Sequence, residues 1–598
     1  MSQQRQRVRL TIPLAKHLLQ THQISTLDLI SYCHALAQYG EETLSLNAFS
    51  NLFSKHELLA QAQESHQRYH HYGIRPLEGI PISIKANIAT SQSTLTASSQ
   101  ILDSTPGYDS HVVTQLQKAG AILIGVTEMD EFGMGSLGTH STHKGGAARN
   151  PLYVHKEVNE EEGHKQQIGN LTVEDWISNL QSCTIPNCTH TNHYLSAGGS
   201  SSGSAVSVSH GSSLASLATD TGGSIRLPAA WNGIVGFKPS YGQISRRGVV
   251  SYASSLDTVG VLGNSVDCVN QVWNVVRNGT PSDEEEVGVA VGDSTASWSK
   301  RNVQIPPLAS SSFSWKEEFM VERDSLKGLK VGIPEAFCVE ECPPDINQAW
   351  EASIQALERC GAQIEIIPQN VIQPQTVGNA LPAYYVLTCA EASSNLARYD
   401  GLRYGLKYED INNDSSTSTS SHPTSSILQD MNPRERQYAT VRARGFGPEV
   451  KRRILCGTAV LSSDRFHTHY EAASYIRATM TRELTSAFRT KEDMEGEGSD
   501  TGVDLILIPT ALTHPPDLVG EEREMDPTEA FQNDVMTIPF SLAGLPSISV
   551  PVWLSKSESV RRADDDVERK VVGMQLVGPR LSEERVLQIA HVLQDTHV

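Results

Sequence analysis

The spacing of apolar residues along the chain predicts strands that alternate with helices. In the segment 76–90, isoleucines recur at every second position after a Pro/Gly turn, which predicts a buried strand. Helical spacing follows over 112–118, and the short apolar run at 120–125 is typical of a strand in a sheet that is covered on both faces. The same reasoning predicts helices within 10–70 and buried strands within 503–553. Strands separated by helices indicate an α/β fold.

A different pattern occupies the middle of the chain. Between 196 and 260, Gly, Ser, Ala and Thr predominate, almost no residue is charged, and Val, Ile, Leu and Trp are interspersed. A flexible linker would lack these large apolar residues, so the segment is predicted to form a tightly packed centre in which small side chains let backbones approach closely. The final segment, 570–598, has the pattern of a strand followed by an amphipathic helix.

Four segments have compositions that cannot bury much apolar surface, because they are rich in charge, serine or glycine. They are predicted to be surface insertions and lie at 155–195, 279–325, 411–430 and 490–502. The chain is predicted to form a single domain over 1–598, with a core at about 10–590.

Composition limits the kinds of partner and compartment. The chain has 598 residues with 48 Lys+Arg and 68 Asp+Glu, so its net charge of −20 repels phosphate, and any nucleic acid contact needs a local basic patch or a basic partner. No apolar run reaches the roughly 18 residues of a membrane-spanning helix. Nine scattered cysteines without a secretory signal indicate a reducing compartment. The Arg-bearing, acid-poor start is typical of an organelle transit peptide, and a basic first helix explains it equally well.

Two Gly-Ser turns flank a helix of small residues and give the strongest sign of chemistry. The segments 197–204 and 219–226 read AGGSSSGS and TDTGGSIR. Four consecutive backbone N–H groups in the second turn can converge on one oxygen, because glycines let the amides point inward. The residues of this predicted oxyanion hole are Thr221, Gly222, Gly223 and Ser224. A serine beside such a nest of amides is placed to attack a carbonyl, as acyl transfer requires.

A serine nucleophile needs a base. The 21 histidines lie mostly in polar, insertion-like stretches, whereas Lys85 ends the predicted strand, and burial would leave it a neutral amine by lowering its pKa. Taken singly, each feature has a more ordinary interpretation, since Gly-Ser turns are usually loops or phosphate cradles and a lysine at a strand end usually reaches solvent. The phosphate cradle fails because neither turn contains Gly-Lys-Ser/Thr.

Together these motifs resemble the amidase signature family, whose members carry a lysine at the end of a Gly-Ile-Pro strand and the GGSS and GGSIR turns; the signature stretch runs over 198–260. The resemblance implies an α/β fold in which helices cover both faces of a large, twisted, mixed and mostly parallel sheet. It also implies a catalytic triad, with Ser224 as the nucleophile, Ser200 as a bridging serine in a cis peptide, and Lys85 as the base.

Within this family, five stretches resemble the glutaminase subunits of glutamyl-tRNA(Gln) amidotransferases. They are 129–136, 252–260, 383–405, 445–458 and 533–551. Their positions in these stretches imply that Tyr384, Arg453 and Asp534 bind glutamine, whose carboxylate needs a cation and whose ammonium needs an anion. Two alternatives stay open: Arg453 solvated beside Lys451 and Arg452, and Asp534 in a helix cap or turn.

The resemblance also implies a role in a complex. Such a glutaminase hydrolyses glutamine and passes ammonia to a B-type partner subunit, which uses ATP and Mg to convert Glu-tRNA(Gln) to Gln-tRNA(Gln), with a small C-type or related subunit completing a heterotrimer. No cofactor or metal is expected in this chain itself, and the tRNA is expected to bind mainly through the partner. The inserted loops and the basic start favour the mitochondrial matrix. A free-standing amidase acting on small or fatty amides and a catalytically silent scaffold are the alternatives.

Some residues depart from the family pattern. Ala86 stands where the family usually has Asp after the lysine, and Ser202 where it usually has Gly. Neither change removes a triad atom, so the two residues are expected to adjust the activity rather than abolish it. One insertion also contains four residues that resemble a zinc clip, but their spacing is atypical, and metal binding is the less favoured interpretation. They are Cys183, Cys188, His190 and His193.

Overall fold

The structure is a computed structural model that describes eleven stretches of the chain. These are 9–71, 73–143, 146–153, 172–183, 194–277, 326–403, 405–413, 431–489, 501–518, 531–554 and 570–595. The predicted insertion at 279–325 lies outside the described residues, as do most of the insertions predicted at 155–195, 411–430 and 490–502.

The strands of the described residues form one sheet. In chain order they are β1 Phe49–Leu52, β2 Pro81–Lys85, β3 Ile122–Thr127, β4 Ala215–Asp220, β5 Val235–Lys238, β6 Thr258–Gly263, β7 Lys330–Pro334, β8 Gln363–Ile367, β9 Leu505–Pro509, β10 Ser547–Leu554 and β11 Lys570–Val577. Across the sheet their order is β1-β3-β2-β4-β6-β5-β10-β11-β9-β7-β8. The apolar runs predicted as strands are present as β2, β3, β9, β10 and β11, whereas β1 lies in a region predicted to be helical.

The sheet is mixed, as predicted, but its parallel pairs are the minority. β2 pairs in parallel with β3 and β4, and β7 with β8 and β9. The other neighbouring pairs are antiparallel. The expectation of a mostly parallel sheet is therefore corrected. The reason lies in the connections, because antiparallel neighbours such as β10 and β11 need no helical crossover between them.

The α-helices of the described residues pack against this sheet and against one another. In chain order they are α1 Ile12–Gln20, α2 Thr26–Glu42, α3 Lys55–His71, α4 His111–Lys118, α5 Val173–Ser182, α6 Ser202–His210, α7 Arg226–Trp231, α8 Val266–Val276, α9 Pro344–Arg359, α10 Pro374–Asn395, α11 Tyr408–Asn413, α12 Pro433–Gly445, α13 Pro448–Val460, α14 Glu471–Ser486, α15 Ile538–Leu542 and α16 Glu583–Asp595. Within the part of the chain that the structure describes, no helix combines the length and apolarity that a membrane crossing needs.

Strand β5 shows that helices cover both faces of the sheet. Successive strand residues point to opposite faces. A Cβ added at Gly236 would lie 2.5 Å from the Cβ of Ala229 in α7. The ring of the next residue, Phe237, lies 5.5 Å from that of Trp273 in α8. The predicted helical covering of both faces is confirmed at this strand.

The serine- and glycine-rich middle of the chain is the packed centre that its composition predicted. From 196 to 240, every residue except Ser209 and Gly211 is buried. Buried hydroxyls in this centre bond to one another, as between Ser83 in β2 and Ser207 in α6, whose oxygens are 2.9 Å apart. Such pairing satisfies polar groups that would otherwise be costly to bury. Strand β2 is consequently buried on both faces and ends inside the protein at Lys85.

Candidate active site

Lys85, the last residue of β2, is fully buried and lies against the first Gly-Ser turn. Its Nζ donates hydrogen bonds to Ser200 Oγ at 2.8 Å and Ser201 Oγ at 2.8 Å. A third acceptor, the carbonyl oxygen of Thr219 at the end of β4, is 3.3 Å away. The structure thus brings together the predicted base and bridging serine. It adds Ser201, which sequence reasoning missed because one serine in a serine-rich run carries no distinguishing pattern.

Burial lowers the pKa of Lys85 to about 7, although the negative charges of Asp130, Asp220 and Asp257 act in the opposite direction. An ammonium inside the protein has lost its hydration, so the neutral amine is favoured. Near neutral pH a substantial fraction of Lys85 is therefore uncharged and able to accept a proton.

The hydrogen bonds around the neutral amine fix the direction of one proton. A neutral amine has two N–H donors and one lone pair, whereas a carbonyl oxygen only accepts. The hydroxyl of Ser201 donates to the Thr219 carbonyl oxygen at 3.2 Å, so it receives its bond from Lys85. The amine's other N–H faces the same carbonyl, and its lone pair is left for the hydroxyl of Ser200. In this state Ser200 donates its proton to Lys85 and presents its oxygen to a further donor.

The turn that carries Ser200 has the predicted cis peptide, which lies between Gly199 and Ser200. Both sides of this peptide are held by backbone hydrogen bonds: Gly199 N–H donates to the Ser136 carbonyl at 2.8 Å, and Asp130 N–H donates to the Ser200 carbonyl at 3.1 Å. A Cβ at Gly199 would lie 2.0 Å from Asp130 Oδ2, so no larger residue fits there.

Ser224 and the second Gly-Ser turn lie directly beside the first. The N–H of Ser201 donates to the Ser224 carbonyl at 3.2 Å. Ser224 is largely buried, with 9% of its surface exposed. Among the residues that the structure describes, no acceptor takes a hydrogen bond from the backbone N–H groups of 221–224. Amides without a protein partner are available to a ligand oxygen, which is what an oxyanion hole requires.

A buried ion pair holds this turn. Arg226, the first residue of α7, donates from Nε to Asp220 Oδ2 at 3.0 Å and from Nη2 to Asp220 Oδ1 at 2.9 Å. Its Nη2 also donates to the Gly222 carbonyl at 2.8 Å. Because the C=O of Gly222 and the N–H of Gly223 belong to one trans peptide and point in opposite directions, this bond fixes the direction of the Gly223 N–H. In the sequence this arginine is recognisable only as the last residue of the GGSIR motif, which predicts no separate role for it.

Tyr384 and Asp534 lie against the glycines of the same turn. A Cβ at Gly222 would be 2.7 Å from Tyr384 Oη, and one at Gly223 would be 3.2 Å from Asp534 Oδ1. Glycine is required at both positions, because a side chain would displace these groups.

Asp534 does lie in a turn, where its backbone carbonyl accepts hydrogen bonds from the N–H groups of Thr537 and Ile538. Its carboxylate, however, is buried and accepts a hydrogen bond from the hydroxyl of Ser136. Burial raises the pKa of Asp534 to about 7, against the effects of Ser136 and Arg453. The following helix, α15, is preceded by Thr537 rather than by Asp534.

Arg453 in α13 is also buried, at 4% exposure, which excludes the alternative that it is solvated beside its basic neighbours. Its Nε donates to Glu449 Oε1 at 2.7 Å, and its Nη1 donates to Tyr252 Oη at 2.5 Å. Within the described stretches, Nη2 is buried without a hydrogen-bond partner. A buried donor of this kind is costly unless a ligand satisfies it, and a carboxylate is the natural partner of a guanidinium. Glu449 and Tyr252 were not predicted.

The residues that depart from the family pattern fit without disturbing these contacts. Ala86 is buried next to the base and donates its backbone N–H to Thr127. Ser202 begins α6 and packs on Gly138, whose φ is +72° and where a Cβ would lie 2.6 Å from the Ser202 Cβ.

Only Cys183 of the four residues considered as a zinc clip is described. The other three, Cys188, His190 and His193, lie outside the described residues. In the stretches that are described, no group of three or more His, Cys, Asp or Glu side chains has the arrangement of a metal site.

Comparison with known proteins relates most of the chain to one family. The family described as Amidase matches residues 29–158 and 182–587. The A subunit of the mitochondrial glutamyl-tRNA(Gln) amidotransferase of Ajellomyces capsulatus is 36% identical over 553 residues, which cover 87% of this chain and 90% of that protein. The A subunit of the enzyme from Bartonella henselae is 33% identical and covers 98% of this chain and 96% of its own. Among solved structures, the A subunit from Thermotoga maritima matches with a TM-score of 0.56 and 26% identity, covering 87% of this chain and 83% of that one.

Proposed function

Because the chain belongs to the amidase signature family, we propose that it is the glutamine-hydrolysing A subunit of a glutamyl-tRNA(Gln) amidotransferase. The observation that carries the proposal is the hydrogen bond from buried Lys85 to Ser200, next to a turn that Tyr384 and Asp534 flank. Relatives with this name cover nearly the whole chain, which supports the same assignment.

In the proposed reaction, the Ser224 hydroxyl attacks the side-chain amide carbon of glutamine. Ser200 takes the proton of Ser224 while passing its own to the neutral amine of Lys85, and the new oxyanion is bound by the free amides of 221–224. The C–N bond then breaks as a proton returns through Ser200 to the leaving nitrogen, which departs as ammonia. Water attacks the remaining glutamyl ester, loses a proton through the same relay and releases glutamate, and Ser224 regains its hydrogen.

Recognition of glutamine is proposed to rest on two buried charges. The unpaired Nη2 of Arg453 donates to the α-carboxylate, and the carboxylate of Asp534 accepts from the α-ammonium. Tyr384, which lies beside Gly222, limits the space around the amide. Glu449 keeps the guanidinium oriented when the site is empty.

The remaining steps are assigned to partners. The ammonia passes to a B-type subunit that uses ATP and Mg to convert Glu-tRNA(Gln) to Gln-tRNA(Gln), and a small C-type or related subunit completes a heterotrimer. This chain itself carries no cofactor, and the tRNA binds mainly through the partner. We place the complex in the mitochondrial matrix, in line with the fungal relatives, and propose that the single sheet organises the chain as one domain.

The test is Ser224→Ala in the complex reconstituted with its partner subunits. Ammonia release from glutamine should fall by at least about a thousandfold, because no other group forms the ester. Ser209→Ala is the matched control, since among the described residues the Ser209 hydroxyl bonds only to the Asn232 carbonyl, at 2.8 Å, and the rate should be unchanged.

Three results would contradict the proposal. Undiminished ammonia release by Ser224→Ala would show that this serine is not the nucleophile. Full turnover of simple amides by the isolated chain, without response to partners or tRNA, would favour a free-standing amidase. A wild-type complex that depends on the chain for assembly but releases no ammonia would favour a silent scaffold.

A further inference from the structure

A short 3-10 turn, Glu131–Gly133, contacts the triad on one side. The N–H of Asp130, the residue before it, donates to the Ser200 carbonyl at 3.1 Å. A Cβ on Gly133, at the other end of the turn, would lie 3.7 Å from Ser200 Oγ. The hydrogen bond of Asp130 therefore ties the turn to the backbone of the bridging serine, and Gly133 lies beside its side chain.

On its other side, the same turn holds the start of α13. Glu131 is buried, and its Oε2 accepts a hydrogen bond from the N–H of Gly447 at 2.8 Å. Its Oε1 accepts from the hydroxyl of Ser99 at 2.5 Å. The neighbouring ring of Phe132 packs edge-on against Phe446 with centroids 5.7 Å apart.

Gly447 precedes the first turn of α13 and has no side chain with which to cap it. Backbone N–H groups at a helix start lack intrahelical partners, and a carboxylate there is also favoured by the helix dipole. Glu131 supplies that carboxylate from a distant part of the chain. A Cβ at Gly447 would lie 2.3 Å from Glu131 Oε2, so glycine is needed for this contact.

Helix α13 carries Glu449 and Arg453 on its buried side. The guanidinium of Arg453 is held relative to the helix by the Glu449 bond at 2.7 Å, so its position depends on where the helix begins. The turn Glu131–Gly133 is thus a direct physical link between Ser200 and the arginine proposed to bind the substrate carboxylate.

We propose that Glu131 is a positioning residue: it fixes the start of α13 and thereby sets the distance between the carboxylate-binding arginine and the triad. The proposal deepens the proposed function and rests on it. Removing the link loosens the binding of substrates that carry a carboxylate, equally in the ground state and the transition state. KM therefore rises while kcat is retained.

The experiment uses the reconstituted complex and three amides: glutamine, glutaramate, which keeps the carboxylate but lacks the amino group, and butyramide, which lacks both. Glu131→Ala should raise KM for glutamine and glutaramate by about tenfold or more, keep kcat within about twofold, and leave butyramide unaffected. Gly447→Ala, which displaces the same contact from the helix side, should show the same pattern.

Two further variants separate positioning from general destabilisation. Glu131→Gln keeps an acceptor for Gly447 N–H, so KM should return most of the way to the wild-type value. Glu583→Ala removes another buried glutamate that accepts a backbone N–H, from Ser240 at 2.9 Å, and should leave KM for glutaramate unchanged. Thermal unfolding shows which variants fold. If Glu131→Ala does not fold, the KM values of Gly447→Ala test the proposal in its place.

An unchanged KM for glutaramate in either folded variant would overturn the proposal. So would a fall in kcat at constant KM, or an equal loss with butyramide. Failure of the proposed function looks different, because it concerns the wild-type complex, which would then release no ammonia from glutamine. Failure of the present proposal leaves that wild-type activity intact and changes only the results for the variants.

Discussion

Two strands of the sheet end in a buried lysine, and only one of these lysines contacts serine hydroxyls. Lys85 ends β2 and Lys238 ends β5. Burial lowers the pKa of each to about 7. Lys85 forms hydrogen bonds with two serine hydroxyls, whereas Lys238 donates to the backbone carbonyls of Pro239, at 3.2 Å, and Leu545, at 2.5 Å.

The difference shows that burial alone does not make a lysine a useful base. A carbonyl oxygen accepts hydrogen bonds but has no proton to give, whereas a hydroxyl does both. Lys238 can therefore hold two chain segments together, but neither of its carbonyl partners can pass a proton to it. Lys85 has the same depressed pKa, but its partner Ser200 can pass a proton onward to it.

The largest expected effect separates the two lysines directly. Lys85→Met should lower kcat for glutamine by about a thousandfold or more, because general base catalysis contributes up to about 10⁴-fold and, among the described residues, only Lys85 is hydrogen-bonded to the Ser200 hydroxyl. Lys238→Met is the matched control and should keep kcat within about twofold. Ammonia release by the reconstituted complex gives both values.

Equal losses in the two lysine variants would break the comparison, provided that both fold by circular dichroism. They would mean that burial of an amine near the sheet, rather than its contact with Ser200, is what activity needs.

The pH dependence of hydrolysis should follow the charge of Lys85. Below pH 7 the amine is protonated and cannot serve as a base, so log kcat/KM should fall by about one unit per pH unit with glutaramate. Glutamine should give a steeper fall, because Asp534, whose pKa burial raises to about 7, must also be ionised to bind the ammonium. Rates measured between pH 5.5 and 8.5 test both slopes.

Lys238→Met sharpens this test, because its profile should keep the wild-type midpoint. A profile that is flat across the acid range, or that shifts when Lys238 is removed, would assign the titration to another group.

The sequence predicts the local parts of this fold and leaves out the pairing. Apolar runs are enough to predict β2 and β9, because a continuous apolar run indicates a strand that is buried on both faces. Strand β1, Phe49–Leu52, has no such run and exists because it pairs with β3. The balance of parallel and antiparallel pairs was misjudged for the same reason, because it depends on which distant strands become neighbours.

The site divides in the same way. The motifs and the family resemblance led to Lys85 and Ser200, which the fold brings within 2.8 Å. The partners of Arg453 were not predicted. Tyr252 is 201 residues away from Arg453 in the chain. Tyr252 and Glu449 lie within the stretches 252–260 and 445–458, but the resemblance gave neither of them a role. Side chains that orient other side chains are selected by three-dimensional contact, which one sequence does not reveal.

The smallest expected effect concerns stability, and it distinguishes the two ways in which a buried lysine can be tolerated. The pKa of Lys238 is lowered from 10.5 to about 7 in the folded chain, with burial as the main cause and Arg226 acting in the same direction. Between these values the unfolded chain holds a proton that the folded chain lacks. Unfolding then takes up a proton, so the free energy of unfolding rises with pH, by at most about 1.4 kcal/mol per pH unit.

Lys238→Met removes this contribution and leaves that of Lys85 in place. Urea unfolding at pH 7.5, 8.25 and 9, followed by tryptophan fluorescence, should therefore give a shallower rise for the variant than for the wild type. Parallel lines for the two proteins would show that folded Lys238 keeps its proton, held between two carbonyl oxygens and near Asp220 and Glu583, whose charges raise its pKa. In that case the two lysines would differ in charge as well as in partners, and the depressed pKa would belong to Lys85 alone.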